Sequence, residues 1–166
     1  MIPCRFHLAL VLLLLAGCAR PAPPATPAPT PPAAAPAGAG QVVEITVGDA
    51  MKYDVTRIEA AAGKPLTIVL HSAATLPREA MAHNFVLLQK DADVMDFMQA
   101  AAASTPAAGY LPAELAGQVI AHTRLLGPHE SDTVTFTVPS VPGEYNYLCT
   151  FPGHFLSGMK GVLVVK

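Results

Sequence analysis

The chain of 166 residues has no tryptophan, only three cysteines, and charge on just 13% of its residues. Each shortage excludes something. Cys4 and Cys18 lie in an apolar N-terminal stretch and Cys149 lies near the other end. No two of them can form a framework disulfide within a folded domain, so the core has to stand on apolar packing. A formal net charge of −2 with no basic run lacks the electrostatic footprint of a nucleic-acid binder, and no nucleic acid is expected as a partner. No apolar run reaches the roughly 18 residues that a membrane-spanning helix needs. The length allows one domain plus extras, not two full domains.

What is present is sharply partitioned. MIPCRFHLALVLLLLAGC has a short basic start at Arg5, an apolar run from Leu8 to Ala16, and small residues leading to Cys18. Residues 1–17 read as a secretory signal. The ending Leu15-Ala16-Gly17-Cys18 resembles the bacterial lipoprotein box, in which the cysteine is lipidated and becomes the mature N-terminus. That resemblance implies lipid on Cys18 and a place on the periplasmic side of a bacterial membrane. The same resemblance implies that Ala19 in the next position favours the outer membrane. Residues 18–40 then form the lipidated cysteine and a spacer, ARPAPPATPAPTPPAAAPAGAG, which cannot bury a core and is expected to be polyproline-like. At about 3.1 Å per residue it could hold a domain up to roughly 60 Å from its anchor.

Beyond Gln41 the pattern changes to short β-rich runs: VVEITV, KPLTIVLH, HNFVLLQ, QVIAHTRLL, DTVTFTV, GEYNYLC and KGVLVVK. TVTFTV alternates strictly, as a half-buried strand should. Pro and Gly punctuate the runs at Gly63, Pro65, Gly127-Pro128, Pro139, Pro142-Gly143 and Gly161. About seven or eight short strands in residues 41–166 predict an all-β Greek-key β-sandwich. DADVMDFMQAAAAS, Asp91 to Ser104, departs from this pattern. Its helix formers and acidic first turn predict one short helix inserted between strands.

The chemistry concentrates in CTFPGHFLSGM, where a thiol, an imidazole and a thioether recur every five residues as Cys149, His154 and Met159. A lone cysteine can be a small buried hydrophobe, but these neighbours point to a metal. Phe151-Pro152-Gly153 can turn the chain so that the side chains face one point. A fourth ligand has to come from a distant strand, and His83 in MAHNFVLL is the best candidate, with Asn84 beside it to hydrogen-bond across to the ligand loop. Two imidazoles and a thiolate with a long axial thioether suit one mononuclear type 1 (blue) copper. Zinc prefers a stronger fourth donor than methionine. A catalytic copper would need an open position, and this set is closed, so an enzyme is not expected.

IAHTRLLG (Ile120 to Gly127), DTVTFTV, MAHNFVL and CTFPGH…MKG resemble azurin-type cupredoxins over the whole stretch from about Glu44 to the C-terminus. The resemblance implies a single-electron carrier, with His83, Cys149, His154 and Met159 as copper ligands and the carbonyl of Ala82 as a weak axial contact. It implies that Asn84 and Thr150 tie the two ligand loops together. It also implies an apolar docking patch around His154, built from Met51, Met81, Phe151, Pro152, Phe155 and Leu156. The expected partners are redox proteins such as c-type cytochromes or a terminal reductase or oxidase, and the domain is expected to be monomeric. Three departures stand out. Four residues separate His154 from Met159, one more than in azurins and more like plastocyanin or auracyanin. Val43 and the 61–65 region offer no counterpart to azurin's disulfide, and Phe85 stands where azurins bury a tryptophan.

Other side chains carry weaker signals. His71 ends a strand and is expected to pack or hydrogen-bond, while His122 and His129 lie in a strand and a Gly-Pro turn. Met51, Met81, Met95 and Met98 are irregularly spaced, which favours packing over a methionine-rich copper store. A periplasmic copper carrier or storage protein is the alternative function, but carriers use exchangeable Met/His-rich or paired-cysteine sites. A nitrite reductase or multicopper oxidase fragment would need a second histidine cluster, and a binuclear site a second cysteine in the ligand loop.

Overall fold

The computed structural model describes residues 40–166, so the leader, Cys18 and nearly all of the spacer lie outside the described residues. Eight strands form two sheets. These are β1 (Gln41–Val47), β2 (Arg57–Ala60), β3 (Pro65–Ser72), β4 (Val86–Leu88), β5 (Val119–His122), β6 (Ser131–Thr137), β7 (Gly143–Leu148) and β8 (Lys160–Val165). One sheet has the order β1-β3-β6 and the other β2-β8-β7-β4-β5, so the chain passes repeatedly between layers. The pairs β1–β3 and β2–β8 are parallel, and the remaining pairs are antiparallel.

Alternation decides which faces meet. In β3 every second residue from Leu66 to Ser72 is buried, and Ile45 and Val47 of β1 join the same layer. Across from them, Ile58, Tyr145, Tyr147, Leu163 and Val165 close the main core. Gly161 of β8 lies opposite Tyr147 of β7, and a Cβ on it would collide with the Tyr147 ring.

The seven sequence runs all contain a strand, with two corrections of extent. HNFVLLQ narrows to Val86–Leu88, and QVIAHTRLL to Val119–His122. The flanking residues keep only an interrupted pairing: His83 bridges Leu126, and Phe85 N donates to the Thr123 hydroxyl rather than to a backbone carbonyl. The run RIEA went unforeseen as a strand, since only Ile58 and Ala60 point inward and its parallel partner β8 is about a hundred residues away in sequence.

The inserted helix α1 spans Val94–Ala103. Asp93 caps it, its carboxylate accepting from Met95 N (2.9 Å) and Asp96 N (3.0 Å), which satisfies orphan donors of the first turn. Two 3-10 turns follow, Pro106–Ala108 and Ala113–Gln118. Phe97 packs with Val86, Leu88 and Leu148 in a second, smaller core.

Candidate metal centre

Each candidate ligand sits where an element ends. His83 precedes β4 and is pinned by a bridge to Leu126: His83 N donates to Leu126 O (2.9 Å) and Leu126 N to His83 O (2.7 Å). Cys149 is the first residue past β7, and Met159 is the last before β8. These two strands are paired, so Cys149 and Met159 lie side by side, with Cys149 N donating to Met159 O at 3.3 Å. His154 stands on the turn between them. Its N–H donates to Phe151 O (3.1 Å), and its carbonyl accepts from Met159 N (3.0 Å).

The donor atoms of His83, Cys149 and His154 all lie within 4.8 Å of one another, and all three residues are buried. Cys149 Sγ is 3.6 Å from His154 Nδ1, and the two imidazole centroids are 4.9 Å apart. Met159 is fully buried beside them. The Ala82 carbonyl lies 4.0 Å from Cys149 Sγ.

The residues fit a soft metal ion on two grounds. His83 is fully buried, yet neither ring nitrogen has a hydrogen-bond partner. An unpaired buried polar group is costly, so a site holding two such atoms calls for an electrophile. The donors themselves, thiolate, two imidazoles and an adjacent thioether, are the set that selects copper over zinc.

Electrostatics agree. Burial pushes the Cys149 thiol up to about 11, although the backbone N–H groups of Asn84 and Phe151 pull the other way. A coordinated cation reverses this, since a metal-bound thiol is deprotonated. Burial holds His83 down at about 4 against a weak pull from Asp49, and burial plus the neighbouring His83 does the same to His154. The metal-free site therefore keeps both imidazoles neutral and ready to coordinate at neutral pH.

A pH dependence follows. Both histidines titrate lower in the folded domain than their ordinary 6.5. Between about 6.5 and about 4 the unfolded chain therefore binds more protons, and stability rises with pH across that window. Acidifying the metal-free domain from pH 7 to 4 should remove on the order of a few kcal/mol, read by urea unfolding. Glu130, held at about 2 by Arg78 and Arg124, begins to lose its contribution below about 4.5 and loses the rest in more acid solution. Unchanged stability down to pH 4 would contradict the neutral, buried imidazoles.

The two ligand loops are joined by a small polar network. Asn84 Oδ1 accepts from Thr150 N (2.9 Å), and Asn84 Nδ2 donates to Thr150 Oγ1 (2.7 Å) and Gly109 O (3.1 Å). Thr150 Oγ1 donates to the same Gly109 carbonyl at 2.9 Å. Tyr53 OH donates to Asn84 O at 2.6 Å. The network joins Asn84 to Thr150 and also takes in Gly109 and Tyr53, which were not foreseen. A backbone carbonyl such as Gly109's carries no signature in sequence. The Tyr53 hydroxyl, in the β1–β2 loop, finds its acceptor in a carbonyl 31 residues away, which leaves no mark in sequence.

The expected docking patch is brought together only in part. Leu156 is 81% exposed and Pro152 is exposed, but Met81 and Phe151 are buried and Met51 and Phe155 are half-buried. Phe151 stacks against His154 (4.6 Å) and Tyr110 (5.5 Å), while Phe155 packs on the second core under Lys160. The loop has to exclude water from the site, so half of its apolar side chains turn inward. His154 itself is only 2% exposed.

The remaining candidates stay outside. His71 Nδ1 pairs with Ser131 Oγ at 2.9 Å, and His122 and His129 are exposed. Met95 is exposed on α1 and Met98 half-buried against the second core. Among the described residues, the cluster of His83, Cys149 and His154 is the one that could hold a metal.

Residues 39–166 match the family described as copper binding proteins, plastocyanin/azurin family. The chain is 36% identical to auracyanin-B of Chloroflexus aurantiacus over 126 residues, a match covering 75% of this chain and 52%, about half, of that relative's length. It is 37% identical over 131 residues to azurin of Pseudomonas fluorescens biotype C, covering 75% of this chain and 97% of that one. Among solved structures, reduced auracyanin from Roseiflexus castenholzii superposes with a TM-score of 0.67 at 36% identity, covering 78% of this chain and 99% of the other. An azurin from Methylomonas sp. strain J gives 0.68 at 31% identity, covering 77% and 99%.

Proposed function

Because the chain belongs to the plastocyanin/azurin family of copper-binding proteins, we propose that His83, Cys149, His154 and Met159 hold its copper and that the protein works at a membrane surface. The protein is a blue copper electron carrier with one type 1 copper, and not an enzyme. The observation that carries the ligand assignment is the convergence of three buried donors, one of them an imidazole with both nitrogens unpartnered. Copper bound there supplies one-electron chemistry by cycling between Cu(I) and Cu(II).

The chain's own residues supply rigidity and access. The Asn84–Thr150–Gly109 network and the His83–Leu126 bridge fix the ligand loops, so the donors need little rearrangement when the charge on the metal changes. Burial of the whole set keeps bulk water away from the donors. Pro152 and Leu156 present an apolar tip within two residues of His154. A small apolar contact suits transient docking, because few fixed charges hold the partner. Under this reading c-type cytochromes or a terminal reductase or oxidase are the partners, and the Ala82 carbonyl would add a weak further contact to the copper.

The lipoprotein-like Cys18 and the Pro/Ala-rich spacer support a domain tethered on the periplasmic side, at the outer membrane. Auracyanins and azurins as relatives are compatible with that placement. One preparation of the full chain, recovered from membranes, tests these assignments. Mass spectrometry should find Cys18 as a lipid-bearing N-terminus, and an unmodified start elsewhere would refute the anchor. Stopped-flow mixing with a reduced c-type cytochrome should transfer one electron per copper. No exchange with cytochromes from the same membrane would overturn that choice of partner.

A further inference from the structure

We propose that Lys52 is a positioning residue for the ligand loop, its ammonium pinning the turn between His154 and Met159 from outside. The redox consequence rests on the copper reading above, but the contact does not. The loop satisfies most of its backbone internally: Ser157 N donates to Gly153 O (3.1 Å), Gly158 N to Phe155 O (2.9 Å), Met159 N to His154 O (3.0 Å) and Lys160 N to Gly158 O (3.0 Å). The Ser157 carbonyl takes Lys52 Nζ instead, at 2.5 Å, across 105 residues of sequence. Gly158 follows with φ of +92°, and a Cβ there would come within 2.5 Å of Lys52 Nζ. The ammonium therefore sits over the point where the chain reverses to deliver Met159. A charge-assisted hydrogen bond is stronger than a neutral one.

Lys52 is aimed by a stiff segment. Met51 adopts φ of +53° and donates its N–H to Gly48 O at 3.0 Å. A non-glycine residue rarely holds that conformation unless its surroundings over-determine it. The other side of Lys52 supplies the constraint. Tyr53 is buried, bridges to Val47 and bonds Asn84 O, and Asp54 and Thr46 tie the β1–β2 loop in both directions (3.2 and 2.8 Å). On its inner side the ligand loop is held by Phe155 in the second core. An apolar peg inside and an ammonium strap outside thus grip the stretch that contains the extra residue before Met159. A longer loop has more conformations to lose, so an additional tie matters most there.

Two readouts separate the clamp from the copper reading. In the metal-free chain, Lys52→Met should speed hydrogen exchange at the Gly158 and Met159 amides at least fivefold, with amides of the β1-β3-β6 sheet unchanged. In the copper-loaded chain, Lys52→Met should lower the reduction potential and shift the visible spectrum, since removing a nearby positive charge favours the oxidised metal. Lys52→Arg should restore both. Wild-type exchange at Gly158 and Met159 in Lys52→Met would overturn the clamp. An unaltered potential and spectrum would overturn the redox consequence. A wild type that binds no copper would sink the copper reading while leaving the exchange test intact.

Discussion

Replacing Cys149 with serine should abolish the intense visible colour of the copper-loaded protein and leave the domain folded. The colour arises from charge transfer between a thiolate and Cu(II), and Cys149 is the one thiol among residues 40–166. Serine keeps the shape of the side chain, and its oxygen can accept from the backbone N–H groups of Asn84 and Phe151 that face the sulfur. Burying the more polar hydroxyl should cost the metal-free variant about 1–3 kcal/mol, a fraction of the stability of a small domain. Absorption spectra after one equivalent of Cu(II), with circular dichroism for the fold, decide the matter. A copper-loaded wild type without the band would show that the centre is not blue copper. A serine variant that keeps the band would move the thiolate elsewhere.

Asn84→Ala should destabilise the metal-free domain by about 2–4 kcal/mol, because it leaves buried groups unpaired rather than merely removing bonds. The Thr150 N–H loses its acceptor, and the Gly109 carbonyl and Thr150 hydroxyl each lose one of their partners. With the loops released from each other, copper should also leave faster when challenged with a chelator. Urea unfolding and metal-release kinetics measure the two effects. A loss under 0.5 kcal/mol with unchanged release would show the tie to be dispensable.

The closed form of the site bears on the alternative of copper storage or delivery. A carrier has to expose its ligands to the recipient, whereas His83, Cys149 and Met159 are fully buried and His154 nearly so. Electron transfer needs no ligand to leave, which is the reading that a rigid, dry donor set favours.

How much of this was legible in sequence depends on where each signal resides. Cys149, His154 and Met159 are legible because side-chain chemistry and turn residues fall in one short run. His83 is legible because a histidine beside Asn84 opens an apolar run. The strand RIEA is not, since two inward residues make no pattern until β8 lies beside them. Nor is the inward turn of Phe151, Phe155 and Met81, because apolar residues around a turn read alike whether they face solvent or seal a site. Lys52 shows nothing locally, as its partner is a carbonyl that every residue possesses.

The sequence by itself determined the donor types, the β-rich domain and its inserted helix, because soft ligands, alternation and helix signals are local chemistry. Only the tertiary structure decided which carbonyls close the network, which apolar side chains remain exposed, and what grips the loop before Met159. Those depend on groups brought together from distant segments. Their attraction operates through space and leaves no period, spacing or composition along the chain.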